Sequence, residues 1–200
     1  MIKVIAFDFG NVIYKLHNKK FIKRLEQYSA LKYSKLFREV LNSDEYELLE
    51  IGKIGFDKYF KIMKKKTKLK LSKERFIREI NGRLNEIPTT LELIKKLKWK
   101  FKLILVSNAN QIDFSNVISK SEAFKYFNEK IISYKFGYKK PSFMIYLELI
   151  RVARTNPKEI LFIDDKKTNV KGASKLGINS IQYKNYDQLL KDFRRYKIKL

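Results

Sequence analysis

The chain has 200 residues, no cysteine, and 45 basic against 21 acidic side chains, for a net charge of +24. Disulfides, thiolate metal sites and cysteine nucleophiles are therefore excluded, and a single histidine, His17, excludes a multi-histidine metal centre. With 44% hydrophobic and 14% aromatic residues, the chain is expected to form one globular domain with a modest insertion rather than stay disordered.

In chain order, the first element is the apolar run Val4-Ile5-Ala6-Phe7, closed by Asp8-Phe9-Gly10-Asn11. A short run rich in β-branched and aromatic residues that stops at Gly and Asn reads as a buried strand entering a turn. About seventy residues of helical patterning follow. Phe21, Ile22 and Leu25 share one face, and Leu31, Leu36, Phe37 and Val40 continue it. Ser43-Asp44-Glu45 opens a helix through Leu48-Leu49, Gly52 interrupts, and Phe56, Tyr59, Phe60 and Met63 resume the stripe. Ser72 starts a last helix carrying Phe76, Ile77 and Ile80. Pro88-Thr89-Thr90 is read as a turn and helix cap.

From there strands and helices alternate. A helix over 90–98 precedes a strand over 101–106 and helical segments over 112–127. A strand over 130–133, a helix over 141–153 with Pro141 at its first position, and a strand over 159–164 come next. A helix over 167–176, a strand over 179–183 and a closing basic helix over 187–196 end the chain. This alternation implies an α/β fold, a Rossmann-like parallel sheet with helices on both faces. The expected core is 1–15 plus 88–200, with a small helical bundle inserted over 16–87.

Open parallel sheets bind ligands outside the carboxyl ends of their strands. Asp8, Ser107-Asn108 and Asp164-Asp165 all stand at such ends, and Lys139-Lys140-Pro141 lies between the last two. Singly, each has a bland explanation as turn former, loop, solvated lysine or helix cap. Three carboxylates converging on one point repel one another, and a hard cation such as Mg²⁺ is their natural occupant.

In this order, Asp, Ser-Asn, Lys-Pro and Asp-Asp, the chain resembles the haloacid dehalogenase superfamily, which carries four such motifs. The resemblance runs from Asp8 to Asn169. It implies a Mg²⁺-dependent phosphatase acting on a small phosphorylated metabolite, a sugar phosphate or nucleotide-like compound. Asp8 would be the nucleophile that forms an aspartyl-phosphate. Ser107, Asn108 and Lys140 would hold the phosphoryl group, and Lys140 would balance charge on the nucleophile. Asp8, the Gly10 carbonyl and Asp165 would bind the metal, with Asp164 and Asn169 in support behind them. The insertion matches the cap that many members place after the first motif, closing over the cleft and choosing the substrate.

One position departs from the pattern. Most phosphatases of the superfamily carry a second Asp two residues after the nucleophile, as general acid and base, and here that residue is Gly10. The chain is similar in this to the branch with a Gly-Asn first motif, the bacterial glucose-1-phosphate phosphatase type. A good leaving group, or an acid from substrate or cap, would then stand in. The other readings are a metal-independent 2-haloacid dehalogenase, against which Asp164-Asp165 argues, and a non-catalytic binder of phosphoryl ligands or nucleic acid.

A strand expected from residue 2 leaves no room for a leader, and no apolar run reaches membrane-spanning length, so a cytoplasmic protein without a membrane partner is expected. The basic charge would steer phosphorylated ligands and hold nucleic acid only nonspecifically. No aromatic RNA-binding motif or zinc knuckle is present in the sequence.

Overall fold

A computed structural model describes residues 1–199. Strand β1 (Val4–Phe7) leads through a tight turn into β2 (Tyr14–Leu16). The helices α1 (Asn18–Glu26), α2 (Tyr33–Leu41), α3 (Asp44–Glu50), α4 (Phe56–Thr67) and α5 (Lys73–Asn81) follow, and β3 (Leu84–Glu86) returns the chain. Then come α6 (Pro88–Leu97), β4 (Lys102–Ser107), α7 (Gln111–Asn116), two 3-10 turns, β5 (Glu129–Ile132) and α8 (Ser133–Phe136). The chain closes with α9 (Phe143–Ala153), a 3-10 turn, β6 (Ile160–Asp164), α10 (Lys167–Ser174), β7 (Asn179–Gln182) and α11 (Tyr186–Arg195).

Five strands form one parallel sheet in the order β5-β4-β1-β6-β7. All four residues of β1 and all five of β6 are buried, as expected of strands covered on both faces. Alternate side chains enter different cores. Ile5, Phe7, Leu103, Leu105, Leu161 and Ile163 pack with α6 and α11, while Val4, Ala6, Ile104, Val106 and Phe162 pack with α9 and α10. The α/β expectation with helices on both faces therefore holds.

Helices α1 to α5 have a core of their own, built on Phe21, Tyr59, Met63 and Phe76. The Tyr59 hydroxyl donates to the Val40 carbonyl at 2.6 Å, so its one polar atom is satisfied inside that core. This bundle is rooted by a small antiparallel sheet, β2 with β3, pairing Tyr14 with Glu86 and Leu16 with Leu84. Strands were not expected in the inserted stretch. Three residues are too few to show alternation, and their partner lies about seventy residues away in sequence.

Two helix starts differ from expectation. Pro88 is the first residue of α6 rather than a turn ahead of it, using a position where the missing N–H costs nothing. Conversely, Pro141 stands ahead of α9. Ser142 takes the cap, its side chain accepting from the Met144 N–H. Ser133 begins α8 instead of ending β5. Among the described residues, no helix is long and apolar enough to cross a membrane.

Candidate active site

The carboxyl ends of β1, β4 and β6 meet beneath the helical bundle. Asp8 follows β1, its N–H donating to the Ile163 carbonyl at 2.9 Å, so the neighbouring strand fixes its backbone. One Asp8 carboxyl oxygen accepts from the Phe9 N–H at 2.7 Å. Lys140 Nζ reaches the same oxygen at 2.7 Å, Asp164 Oδ2 at 2.7 Å and the Val106 carbonyl at 2.7 Å. Asp164 is fully buried. Its oxygens also accept from Asn169 Nδ2 at 2.9 and 3.0 Å and from the Lys166 N–H at 2.8 Å. Asp8, Asp164 and Asp165 each place one oxygen within 4.8 Å of the others.

A cavity of about 440 Å³ opens here. Asp8, Gly10, Ser107, Asn108, Lys140, Asp165 and Asn169 all line it, and Asp164 sits behind them. The residues singled out in the sequence are thus brought to one place. Asn108 is used differently from expectation. Its side-chain amide donates to the Lys140 carbonyl at 2.9 Å and its oxygen accepts the Lys140 N–H at 2.8 Å, so the side chain clamps the lysine backbone. The side-chain amide is spent on that clamp, its donor and acceptor meeting the C=O and N–H on either side of the Lys140 Cα; its backbone N–H is what remains for a ligand.

Sequence reasoning missed Asn11. It adopts φ of 56°, a left-handed conformation that Asn tolerates better than most residues. Its amide donates to Asp165 Oδ2 at 2.9 Å and its oxygen accepts the Leu16 N–H at 3.1 Å. The Gly-Asn pair was the only available signal. Lys139 was missed as well. It pairs with Glu47 at 2.9 Å and Glu50 at 3.0 Å on α3, tying the bundle to the loop that carries Lys140. Ser133 Oγ donates to the Glu50 carbonyl at 2.6 Å, and Gly52, at φ +72°, lies so close to Tyr134 that a Cβ would stand 2.1 Å from its carbonyl oxygen. The bundle is therefore seated on the sheet domain by backbone contact, not by long side chains alone.

Electrostatics follow from burial. Desolvation pushes the Asp8 carboxyl up from 3.8 to about 7; Lys140 pulls it back, and Asp164 and Asp165 push it further up. Burial alone would lower Lys140, yet Asp164 and Asp8 outweigh it and hold the ammonium above its ordinary value. Since the folded value of Asp8 is raised, its contribution to stability is full below about 4 and is lost as pH rises through about 7. Metal-free wild type should therefore lose melting temperature across that window relative to Asp8→Asn, which has no such titration. Parallel thermal melting profiles for the two proteins would refute this.

Known proteins resemble this chain along most of its length. A D-ribitol-5-phosphate phosphatase of Bacteroides thetaiotaomicron is 26% identical over 192 residues, covering 92% of this chain and 93% of the relative. A haloacid dehalogenase family enzyme of the same organism, solved with magnesium and inorganic phosphate, superposes with a TM-score of 0.83 at 25% identity, over 94% of this chain and 99% of that one. The L-2-haloacid dehalogenase of Xanthobacter autotrophicus, with chloropropionic acid covalently bound, has a TM-score of 0.64 at 16% identity, over 90% and 76%. That last likeness is of fold alone. The family model for haloacid dehalogenase-like hydrolases matches residues 2–177, and the chain belongs to that hydrolase family.

Proposed function

We propose that this hydrolase is a Mg²⁺-dependent phosphatase of small phosphorylated metabolites, working through a phosphoryl group carried on Asp8. The observation that carries the reading is Lys140, whose Nζ lies 2.7 Å from both Asp8 and Asp164, at the floor of a cavity lined also by Asp165 and Ser107. A phosphate dianion cannot approach a carboxylate unless positive charge is already in place. The relative acting on ribitol 5-phosphate and the fold neighbour holding magnesium and phosphate support the same reading.

The donor set fits a divalent cation. Asp164 is occupied by Lys140 and Asn169, whereas Asp8, with a carboxyl raised by burial, and the half-exposed edge of Asp165 face the cavity. Asp8, Asp165 and the Gly10 carbonyl would hold Mg²⁺, with Asp164 and Asn169 bracing them. When bound, the ion supplies charge neutralisation at the phosphoryl oxygens and lowers the Asp8 carboxyl into its ionised form.

The chain's own residues do the rest. One Asp8 oxygen attacks phosphorus as the bond to the ester oxygen breaks, leaving an acyl phosphate on Asp8 and an alkoxide that takes up a proton. Ser107 Oγ–H and the Asn108 N–H donate to phosphoryl oxygens, and Lys140 offsets the added charge. Water then attacks phosphorus, inorganic phosphate leaves, and the Asp8 carboxylate is restored. Gly10 supplies no proton at either step, so either the leaving group departs without one or an acid from the substrate or the cap stands in. Halide displacement from carbon needs no cation, and the acidic trio weighs against it.

A phosphate-release screen over sugar phosphates, polyol phosphates and nucleotides tests the proposal. Turnover should vanish with chelator and return with Mg²⁺. Asp165→Asn, which removes a direct ligand, should weaken Mg²⁺ activation by more than the loss of a supporting partner costs, about 10- to 100-fold. Full turnover in chelator, or release of halide from 2-chloropropionate instead, would overturn it.

A further inference from the structure

The cavity has a second polar wall that phosphoryl chemistry does not use. Arg83 follows α5, and its carbonyl accepts the His17 N–H at 2.7 Å, joining the two chain crossings at the root of the bundle. Its side chain turns inward and is 4% exposed. Nη2 donates to Asp113 Oδ2 at 2.9 Å, an oxygen that also accepts from Asn110 Nδ2 at 2.9 Å. Asp113 belongs to the first turn of α7, six residues beyond Ser107, and is 7% exposed. The Phe21 ring centroid lies 5.8 Å from the guanidinium carbon, so the pair has an apolar neighbour on the bundle side.

Among the described residues, four buried polar atoms of this region, Arg83 Nε and Nη1, Asp113 Oδ1 and Asn18 Oδ1, have no hydrogen-bond partner, and Tyr46 is a further polar neighbour of Arg83 in the cavity wall. Arg83, Asp113 and Asn18 line the cavity that also holds Asp8, Ser107 and Lys140. Unmet buried groups are costly, and a ligand that meets them recovers what burial took away. The charges select the kind of ligand. Arg83 and Asp113 cancel, so a second anionic group gains attraction from one and repulsion from the other. A hydroxyl, in contrast, donates to Asp113 or Asn18 and accepts from Arg83 with the same oxygen.

We propose that Arg83, Asp113 and Asn18 form a subsite that reads adjacent hydroxyl groups, making this chain selective for a phosphorylated polyol or open-chain sugar. The inference rests on the phosphatase reading and narrows it. Arg83 and Asp113 bind the part of the substrate remote from phosphorus and position the ester above Asp8; they take no part in bond making. Sites built to hydrogen-bond a substrate hydroxyl reject the analogue lacking it strongly, because their own polar groups then stay unpaired.

The test compares a pentitol 5-phosphate with pentyl phosphate, which keeps the chain length and a primary alkyl ester but lacks the hydroxyls; the poorer pentoxide leaving group acts on kcat, so the subsite is read from KM. With wild type and Mg²⁺, kcat/KM should favour the pentitol ester by about 100-fold or more, chiefly through KM. Arg83→Met should collapse that ratio below about tenfold, as should Asp113→Asn, which keeps the Asn110 contact geometry if the arginine variant does not fold. A ratio near one in wild type, an unchanged ratio in a folded Arg83→Met protein, or a nucleotide preferred over every polyol ester overturns the inference. If no ester is hydrolysed, the phosphatase reading alone fails. The subsite is then judged by calorimetry of both compounds with wild type and Mg²⁺, tighter pentitol phosphate binding supporting it and equal binding refuting it.

Discussion

Asp8→Asn is expected to lower phosphate release by about 10⁴-fold or more while the melting temperature holds or rises. Asparagine keeps an oxygen for the Phe9 N–H, and Lys140 retains Asp164 and the Val106 carbonyl. One of three crowded carboxylates is removed, so repulsion falls. What is lost is the attacking oxygen's charge. Lys140→Met should behave differently. It leaves Asp8 and Asp164 buried without their cation, and breaking a buried pair in this way costs about 3–5 kcal/mol. In a chain of this length, that corresponds to a melting temperature lower by roughly 10 °C, alongside the lost activity. Phosphate-release assays and thermal melts on both variants separate chemistry from stability. Asp8→Asn retaining more than about 1% of wild-type turnover would remove Asp8 from the nucleophile's role.

Gly10→Asp is expected to act in the opposite direction, raising turnover of alkyl phosphates by about 10²-fold, with a smaller gain on aryl phosphates. The substitution supplies a carboxyl able to protonate a poor leaving group, which aryl oxide does not require. The backbone permits it: the left-handed residue in this turn is Asn11, and Gly10 is not among the glycines with positive φ. A Cβ at Gly10 would stand 2.9 Å from Leu16 Cδ1, the far end of a half-buried side chain that can rotate aside. Steady-state rates on matched alkyl and aryl esters measure the difference. Equal rates in the two proteins on alkyl esters would mean that another cavity group already supplies the proton.

Much of the fold and of the site was legible because three of the four motifs, those of Asp8, Ser107-Asn108 and Asp164-Asp165, lie where a buried strand stops. Apolar runs with β-branched residues mark the strands, and the polar residue that ends each run is carried to the sheet's carboxyl edge by topology alone. Residues whose meaning depends on a distant partner could not be read that way. Asn11 holds Asp165 across 154 positions, and Arg83 and Asp113 belong to different elements that meet only after folding. Lys139 looked like one of 45 basic residues until α3 placed two glutamates on it. Asn108 lines the cavity, but its side chain could not be known to be spent on the N–H and carbonyl of Lys140. The β2–β3 root escaped because three-residue strands carry no period.

An ammonium group has three N–H bonds, and Lys140 has three oxygens at 2.7 Å. Its coordination is therefore saturated before any ligand arrives. To meet a phosphoryl oxygen, the lysine must exchange one neighbour for another. The Val106 carbonyl is fixed within the sheet and Asp164 is gripped by Asn169 and the Lys166 N–H, which leaves Asp8 as the exchangeable one. Esterification of Asp8 turns a charged acceptor into a weak neutral one at the moment phosphoryl oxygens come within reach. The valence of Lys140 stays constant while its partner changes, so a single side chain passes from restraining the attacking group to embracing the group it has captured.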